Sequence, residues 1–287
     1  MNATFIVDSR ALEKYYENRD CHWQPLTLIS DEIFEYIERA GNKQSKLERF
    51  AAYSLLFSMS EKIFGVRIKS LGRNEFGKPF IKELTKIGGK IAVSQDENPL
   101  KKISFSISHS GGFSAVTLSD EGECGVDIQV LPGRKTSERV EERFLRGISF
   151  DGEIGEFSFG EKGLSDDSLA PMEHMKKCSS LLRVCSNKLY FAEPDAAGFI
   201  ISESPLTEYD KENSVTESPE NENYDGAFLR KWTVCEAILK CCGRGFRDLD
   251  VVTELYKGVR VIYSSLLISD IQLGLSVAIS DGKNFSI

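Results

Sequence analysis

Hydrophobic and polar positions recur along the chain with two periods, and these divide it into strands and helices. Thr4 to Val7 is an apolar run that reads as a short strand. From Asp31 to Phe64 the period is helical. Ile33, Phe34 and Ile37 form one apolar stripe, and Leu47, Phe50, Leu55 and Met59 contribute to a second. Gly41 and Asn42 fall between the stripes and predict a break into two helices. Ile103, Phe105 and Ile107 alternate with Ser104, Ser106 and Ser108, the period of a half-buried strand. Gly111 and Gly112 supply a turn, and Phe113 to Leu118 returns as a second strand. Gly125 to Val130 predicts a third, with Val126, Ile128 and Val130 on one face and Asp127 and Gln129 on the other.

Regular patterning fades near Gly147 and resumes at Ala227. Inside that stretch, Ser202 to Gly226 is polar, acidic and poor in large apolar groups, a composition that predicts disorder. Beyond it, Phe228, Trp232, Cys235, Leu239 and Cys242 fit a helix ended by Gly243 and Gly245. Val259–Ser264 and Gly274–Ile279 predict antiparallel strands. No internal sequence repeat stands out.

Charge and cysteine content each change this picture. A net charge of −8 over 287 residues argues against an anionic ligand, but the acidity is local. Residues 151–226 carry 17 acids and 6 bases, which leaves the rest of the chain at +3 and able to accept an anion. The seven cysteines (Cys21, Cys124, Cys178, Cys185, Cys235, Cys241 and Cys242) are irregularly spaced and form no C-x-x-C. They predict reduced thiols in a cytoplasm rather than a disulfide framework or a zinc site. No apolar run is long enough to span a membrane. The opening residues lack the basic start and apolar stretch of a signal peptide. The expectation is a cytoplasmic protein with no membrane and no nucleic-acid partner.

Candidate chemistry sits in three places. Gly77-Lys78-Pro79 combines close backbone approach, a cation and a fixed exit direction. Ser106-Ile107-Ser108-His109-Ser110 sets a histidine between hydroxyls at a strand end. The third place pairs a strand with a helix. Asp127 and Gln129 share a strand face, and Glu236 and Lys240 share a helix face at i, i+4. If strand and helix meet, two carboxylates and an amide oxygen converge beside a lysine, a ligand set suited to Mg²⁺. Taken singly, each block also has a structural reading: a turn, a satisfied histidine, a surface ion pair.

In their order along the chain, GKPFI at 77–81, SISHS at 106–110, GVDIQ at 125–129 and WTVCEAILK at 232–240 resemble the four motifs of the Sfp-type 4′-phosphopantetheinyl transferases. Order and relative spacing agree as far as Gln129. The resemblance covers residues 30–150 and 227–280, with about 151–226 looking like an acidic insertion without ordered structure. It implies an α+β fold of two similar halves, a pseudo-dimer of antiparallel sheets packed with helices. The halves would be 1–119 and 120–287, with coenzyme A in the cleft between them. It also implies Mg²⁺ as cofactor, coenzyme A as substrate, an apo acyl or peptidyl carrier protein as partner, and a monomer.

The resemblance assigns roles as well. Asp127 and Glu236 match metal-binding acids, and Gln129 stands where many relatives carry a third acidic ligand. Lys240 matches a lysine beside the reacting phosphates, and Glu236 is the candidate base. Lys78, Ser108 and His109 match coenzyme A contacts. Arg49 resembles an arginine that precedes the family's first coenzyme-facing helix. Arg39 and Lys43 are candidates for the 3′-phosphate. Cys235 stands where a lysine usually precedes the glutamate, facing either core or solvent. The implied reaction is attack of a carrier serine on the β-phosphate of coenzyme A with release of 3′,5′-ADP. Two other readings stay open: a Mg²⁺-dependent phosphohydrolase using the same acids, and a carrier-binding protein that has lost activity.

Overall fold

A computed structural model describes residues 1–87, 103–131, 187–195, 197–204, 224–244, 248, 252, 255, 258–268 and 271–280. Strand β1 (Asn2–Asp8) leads through a short 3₁₀ turn (Ser9–Leu12) to helices α1 (Glu13–Glu17), α2 (Gln24–Thr27) and α3 (Asp31–Glu38). The predicted break follows: the Asn42 side chain accepts the Ser45 N–H at 2.8 Å and caps α4 (Lys43–Phe64). Gly65, at φ 63°, ends that helix.

Helix α4 departs from the expected apolar stripe. From Leu47 to Ser60 every residue is buried except Arg49. The cause is tertiary, because α1, α2 and α3 cover one side of α4 while β1, β4 and β5 cover the other. The short residues Ala51, Ala52, Ser54, Ser58 and Ser60 allow neighbours to approach from all directions.

The chain then forms β2 (Val66–Arg73) and β3 (Pro79–Lys86), a hairpin that the periodicity did not single out. Next come β4 (Ser104–Ser110) and β5 (Phe113–Ser119), joined by Gly111 and Gly112 at φ 55° and 95°. Positive φ at both central residues suits the right-handed twist of a two-residue hairpin. After β6 (Cys124–Leu131) come β7 (Asn187–Asp195), β8 (Gly198–Ser204), helix α5 (Tyr224–Cys241), β9 (Val259–Ile268) and β10 (Ile271–Ser280).

The fold is mixed α+β. One sheet has the order β4-β5-β1-β7-β8, antiparallel except for the parallel β1–β7 pair. A second, antiparallel sheet has the order β6-β10-β9. Phe5, Val116 and Leu118 pack with α4 on one face of the larger sheet. Ile6, Phe113 and Ala115 pack on its other face against Val126, Ile128, Leu273, Leu275 and Val277 of the smaller sheet. Helix α5 covers the far side of the smaller sheet.

Strands β7 and β8 correct the reading of 151–226 as an insertion without structure. Leu189, Ala192 and Phe199 are buried, and β7 extends the larger sheet beyond β1. Six aromatic or branched residues at 189–191 and 199–201 were outweighed by the acidic average of their surroundings. Helix α5 also begins at Tyr224, ahead of Ala227, and Ser202–Ser204 are strand. The disorder expected at 205–223 lies outside the described residues.

The serine face of β4 is not solvated, as a half-buried strand would have it. Ser104, Ser106, Ser108 and Ser110 accept the backbone N–H groups of Cys124, Val126, Ile128 and Val130 at 2.9, 3.0, 3.3 and 3.3 Å. The constant offset means that β4 and β6 run parallel, and hydroxyls take the place of a backbone ladder. Four donors on the edge of β6 are thereby satisfied.

Gly125 brings β6 against α5. A Cβ there would lie 1.9 Å from the Ala237 carbonyl oxygen and 2.4 Å from the Cys241 nitrogen, both backbone atoms that cannot step aside. Gly125→Ala is expected to destabilise the fold by about 3 kcal/mol, read as a lower urea midpoint. Gly41→Ala, where a Cβ would meet nothing within 4 Å, is the matched control and should leave the midpoint almost unchanged.

Candidate functional site

The turn carrying Gly77-Lys78-Pro79 is built by Asn74. Its side-chain oxygen accepts the N–H groups of Phe76 and Lys78 at 3.1 and 2.8 Å, and its backbone N–H donates to the Lys78 carbonyl at 3.0 Å. Gly77 sits at φ 84°, a region that a side chain disfavours, and Pro79 starts β3. The Asn74 amide donates to the Gly243 carbonyl at 2.6 Å, which fastens the turn to the end of α5. Lys78 does the same: its ammonium donates to Glu123 Oε2 at 2.8 Å, the Cys241 carbonyl at 3.1 Å and the Cys124 carbonyl at 3.5 Å.

Only one face of α5 escapes burial around Glu236 and Lys240. Thr233, Val234, Cys235, Ala237, Ile238, Leu239 and Cys241 are buried. Cys235 thus faces the core. The helix ends through Gly243 at φ 71°, with the Arg244 N–H donating to the Leu239 carbonyl at 2.9 Å.

Strand β6 and helix α5 do meet. Lys240 donates to Asp127 Oδ1 at 2.6 Å and to Ser108 Oγ at 3.2 Å, and lies 3.3 Å from Glu236 Oε2. Ser108 donates to Asp127 Oδ1 at 2.8 Å while accepting from Ile128 and Lys240. Its one donor and two lone pairs are all used. Asp127 is buried, and its Oδ2 has no hydrogen-bond partner. Burial pushes the Asp127 carboxyl above its ordinary range, Lys240 pulls against that, and Glu236 adds to it. Burial alone would lower the Lys240 ammonium, but Asp127 and Glu236 outweigh it and hold it above its ordinary value.

Above this cluster opens a cleft of about 360 Å³. Arg49, Arg73, Lys78, Lys240 and Arg244 line it, and Glu236 is the one acid among its lining residues. Tyr36, Tyr53, Phe76 and Phe105 add aromatic surface. The guanidinium carbons of Arg49 and Arg73 lie 4.6 and 4.3 Å from the centre of the Tyr36 ring. Arg49 also donates to the Tyr36 carbonyl at 3.0 Å, and Arg73 to the Gly77 carbonyl at 2.9 Å. His109 reaches the cleft from β4.

Of the residues singled out from the sequence, Arg49, Lys78, His109, Glu236 and Lys240 line one cleft. Ser108 and Asp127 join them from beneath through Lys240. Gln129 follows Asp127 on the same face of β6, opposite Gly274, and is not among the lining residues. Arg39 and Lys43 are not brought to the cleft: Arg39 pairs with Glu35, and Lys43 with Glu13 and Glu17. Arg73 and Arg244 line the cleft instead. Both flank recognised blocks, four residues before Gly77 and four after Lys240, and that adjacency is the signal by which they could have been found.

Among the described residues, no group of three or more His, Cys, Asp or Glu side chains is arranged so that it could hold a metal ion. Asp127 and Glu236 are a pair of acids sharing one lysine. No helix among the described residues is long and apolar enough to cross a membrane. No family model matches the chain, and no curated protein matches it.

Removing the Ser108 hydroxyl leaves the Ile128 N–H without its acceptor and takes one donor from Asp127. Ser108→Ala is expected to cost about 2 kcal/mol of stability, measured by chemical denaturation. The exposed Ser202→Ala, whose hydroxyl donates at 3.5 Å, should cost almost nothing.

Proposed function

We propose that this protein transfers 4′-phosphopantetheine from coenzyme A to a serine of an apo carrier protein. The observation that carries the reading is convergence. Three blocks spread from residue 77 to residue 240 line one cleft, strongly cationic on a chain of net charge −8, and the fourth reaches it from beneath through the Asp127–Lys240 pair. A pyrophosphate-bearing nucleotide fits such a lining, with phosphates on the arginines and lysines and apolar surface on the aromatic rings.

Two similar halves are supported by the topology. In the first, β1 is followed by α4 and then by the hairpin β4–β5, giving the order β4-β5-β1. In the second, β6 is followed by α5 and then by the hairpin β9–β10, giving β9-β10-β6. Each helix packs on the sheet formed by its own strands. The cleft lies where elements of both halves meet.

The acids fit a hard, oxygen-seeking cation. Asp127 Oδ2 is a buried acceptor without a donor, and Glu236 faces the same lysine from the helix. Asp127 and Glu236 would hold Mg²⁺, with Gln129 alongside, and the ion would supply positive charge to the pyrophosphate. The other roles belong to the chain's own groups. Arg49, Arg73 and Arg244 orient the phosphates. Lys240 neutralises charge on the departing nucleotide. Glu236 accepts the proton of the carrier serine as the serine oxygen bonds to the β-phosphorus. The bond from that phosphorus to the oxygen of 3′,5′-ADP breaks, and the nucleotide leaves with the electron pair.

Incubation of the full chain with Mg²⁺, coenzyme A and several apo carriers should add a phosphopantetheine mass to a carrier serine, read by mass spectrometry. Asp127→Ala and Glu236→Ala should each slow transfer by about a hundredfold or more while remaining folded. Gln129→Glu should lower the Mg²⁺ concentration needed for half-maximal rate, since it adds charge beside the ion. Full activity in Asp127→Ala would overturn the site. Coenzyme A cleavage that needs no carrier would replace transfer by hydrolysis.

A further inference from the structure

Glu48 took no part in the sequence-based site, yet it is the most heavily engaged acid beside the cleft. It lies within α4 and is 5% exposed. Its Oε1 accepts the Gly112 N–H at 2.7 Å and the Gln44 amide at 3.3 Å. Its Oε2 is 3.0 Å from His109 Nδ1. Its backbone carbonyl accepts the Ser114 hydroxyl at 2.8 Å, so α4 is fastened to the β4–β5 turn by side chain and main chain together. Burial would raise the Glu48 carboxyl, but the bonds from His109 and Gly112 outweigh it and hold it below its ordinary value.

We propose that Glu48 is a positioning residue for the cleft: it holds Nδ1 of His109 so that Nε2 is the ring nitrogen presented to a bound phosphate. The groups around Glu48 are donors: a backbone N–H, a side-chain amide and a ring N–H. Only an acceptor with two oxygens meets Gly112 and His109 at once. The imidazole, 35% exposed, spans from this carboxylate to the cleft lining. With Nδ1 tied to Glu48, Nε2 is the ring nitrogen left to face the cleft. The same logic orients ring nitrogens in metal sites and catalytic triads. A lone histidine on β4 would be free to turn; this one is indexed by α4.

The choice of ligand rests on the coenzyme A reading, but the ring orientation does not. The test is a double-mutant cycle on the full chain, with binding of 3′,5′-ADP followed by titration calorimetry. Glu48→Gln puts an NH₂ where one of two donors needs an oxygen. It should weaken binding about tenfold, the worth of one charge-assisted hydrogen bond. His109→Ala should weaken it similarly, and adding Glu48→Gln to His109→Ala should change nothing further. An unchanged affinity in Glu48→Gln, or an equal loss in the His109→Ala background, overturns the proposal. Nitrogen-15 NMR of the wild-type ring, assigned with His109→Ala, gives a second readout that needs no folded Glu48 variant. A hydrogen-bonded Nδ1–H is expected, and an Nδ1 without a proton overturns the proposal. If 3′,5′-ADP fails to bind the wild type, the coenzyme A reading falls, and the ring signature still decides the role of Glu48.

Discussion

Strand β6 has one edge in a sheet and one edge that must find acceptors elsewhere, and much of the structure depends on how that second edge is satisfied. Its partner on one side is β10; on the other side, among the described residues, no strand pairs with it in its own sheet. Four serines of β4 take the place of a backbone ladder. A hydroxyl both accepts and donates, so each serine can satisfy a β6 N–H and still give its proton away. Ser108 gives its proton to Asp127. The seam that joins the two sheets is thus also the wall that holds Asp127, the candidate metal-binding acid. A backbone ladder at the same place would leave no side-chain donor for Asp127.

The second organising constraint is charge. A chain with eight excess acids concentrates five cations around one cleft and spends other cations on acids elsewhere. Lys43 is tied to Glu13 and Glu17, Lys46 to Glu38, and Arg67 to Glu61. In the cleft Arg49 and Arg73 lean instead on the Tyr36 ring and on backbone carbonyls, which orient a guanidinium without cancelling its charge, while Arg244 lies 3.4 Å from Asp248. Lys78 is the intermediate case. Glu123 takes part of its charge, while the Cys241 carbonyl at the end of α5 and the Cys124 carbonyl at the start of β6 accept its remaining bonds. Its contribution is as much to the joint between turn and helix as to any ligand.

What the sequence made legible follows from where the information is local. The α3–α4 break, the β4–β5 hairpin, β6, the end of α5 and the last two strands were readable because capping residues, glycines and alternation act over a few positions. Hairpin β7–β8 was not, because its apolar residues are embedded in a segment whose average composition is acidic, and its stability comes from pairing with β1, more than 180 residues away. The stripe read on α4 is buried but understates the helix for a related reason. Periodicity reports one buried face, and α4 is covered on nearly all sides. In the site, the conspicuous residues Lys78, His109, Glu236 and Lys240 converged on the cleft. Arg73, Arg244, Tyr36 and Glu48 carry no motif of their own. Their relevance appears only once the β2–β3 turn is docked on the end of α5 and α4 is set against β4.

The acid–lysine cluster shows why Ser108, Asp127 and Lys240 should be treated as one unit. Ser108 has a single proton to give, and the two groups that donate to it leave Asp127 as its acceptor. That fixes Asp127 Oδ1 against both Ser108 and Lys240 and turns Oδ2 away from any protein donor. Lys240, drawn by Asp127 and Glu236 together, keeps its proton despite burial, because losing it would leave two carboxylates facing each other across a few ångströms. With both acids ionised the cluster carries net negative charge, lysine included, and it lies directly below a cleft whose lining is positive. A ligand that satisfies both must bring anionic groups to the upper cations and positive charge to the lower oxygens. A pyrophosphate accompanied by a divalent cation meets that demand, whereas a simple monoanion leaves the buried carboxylate unanswered.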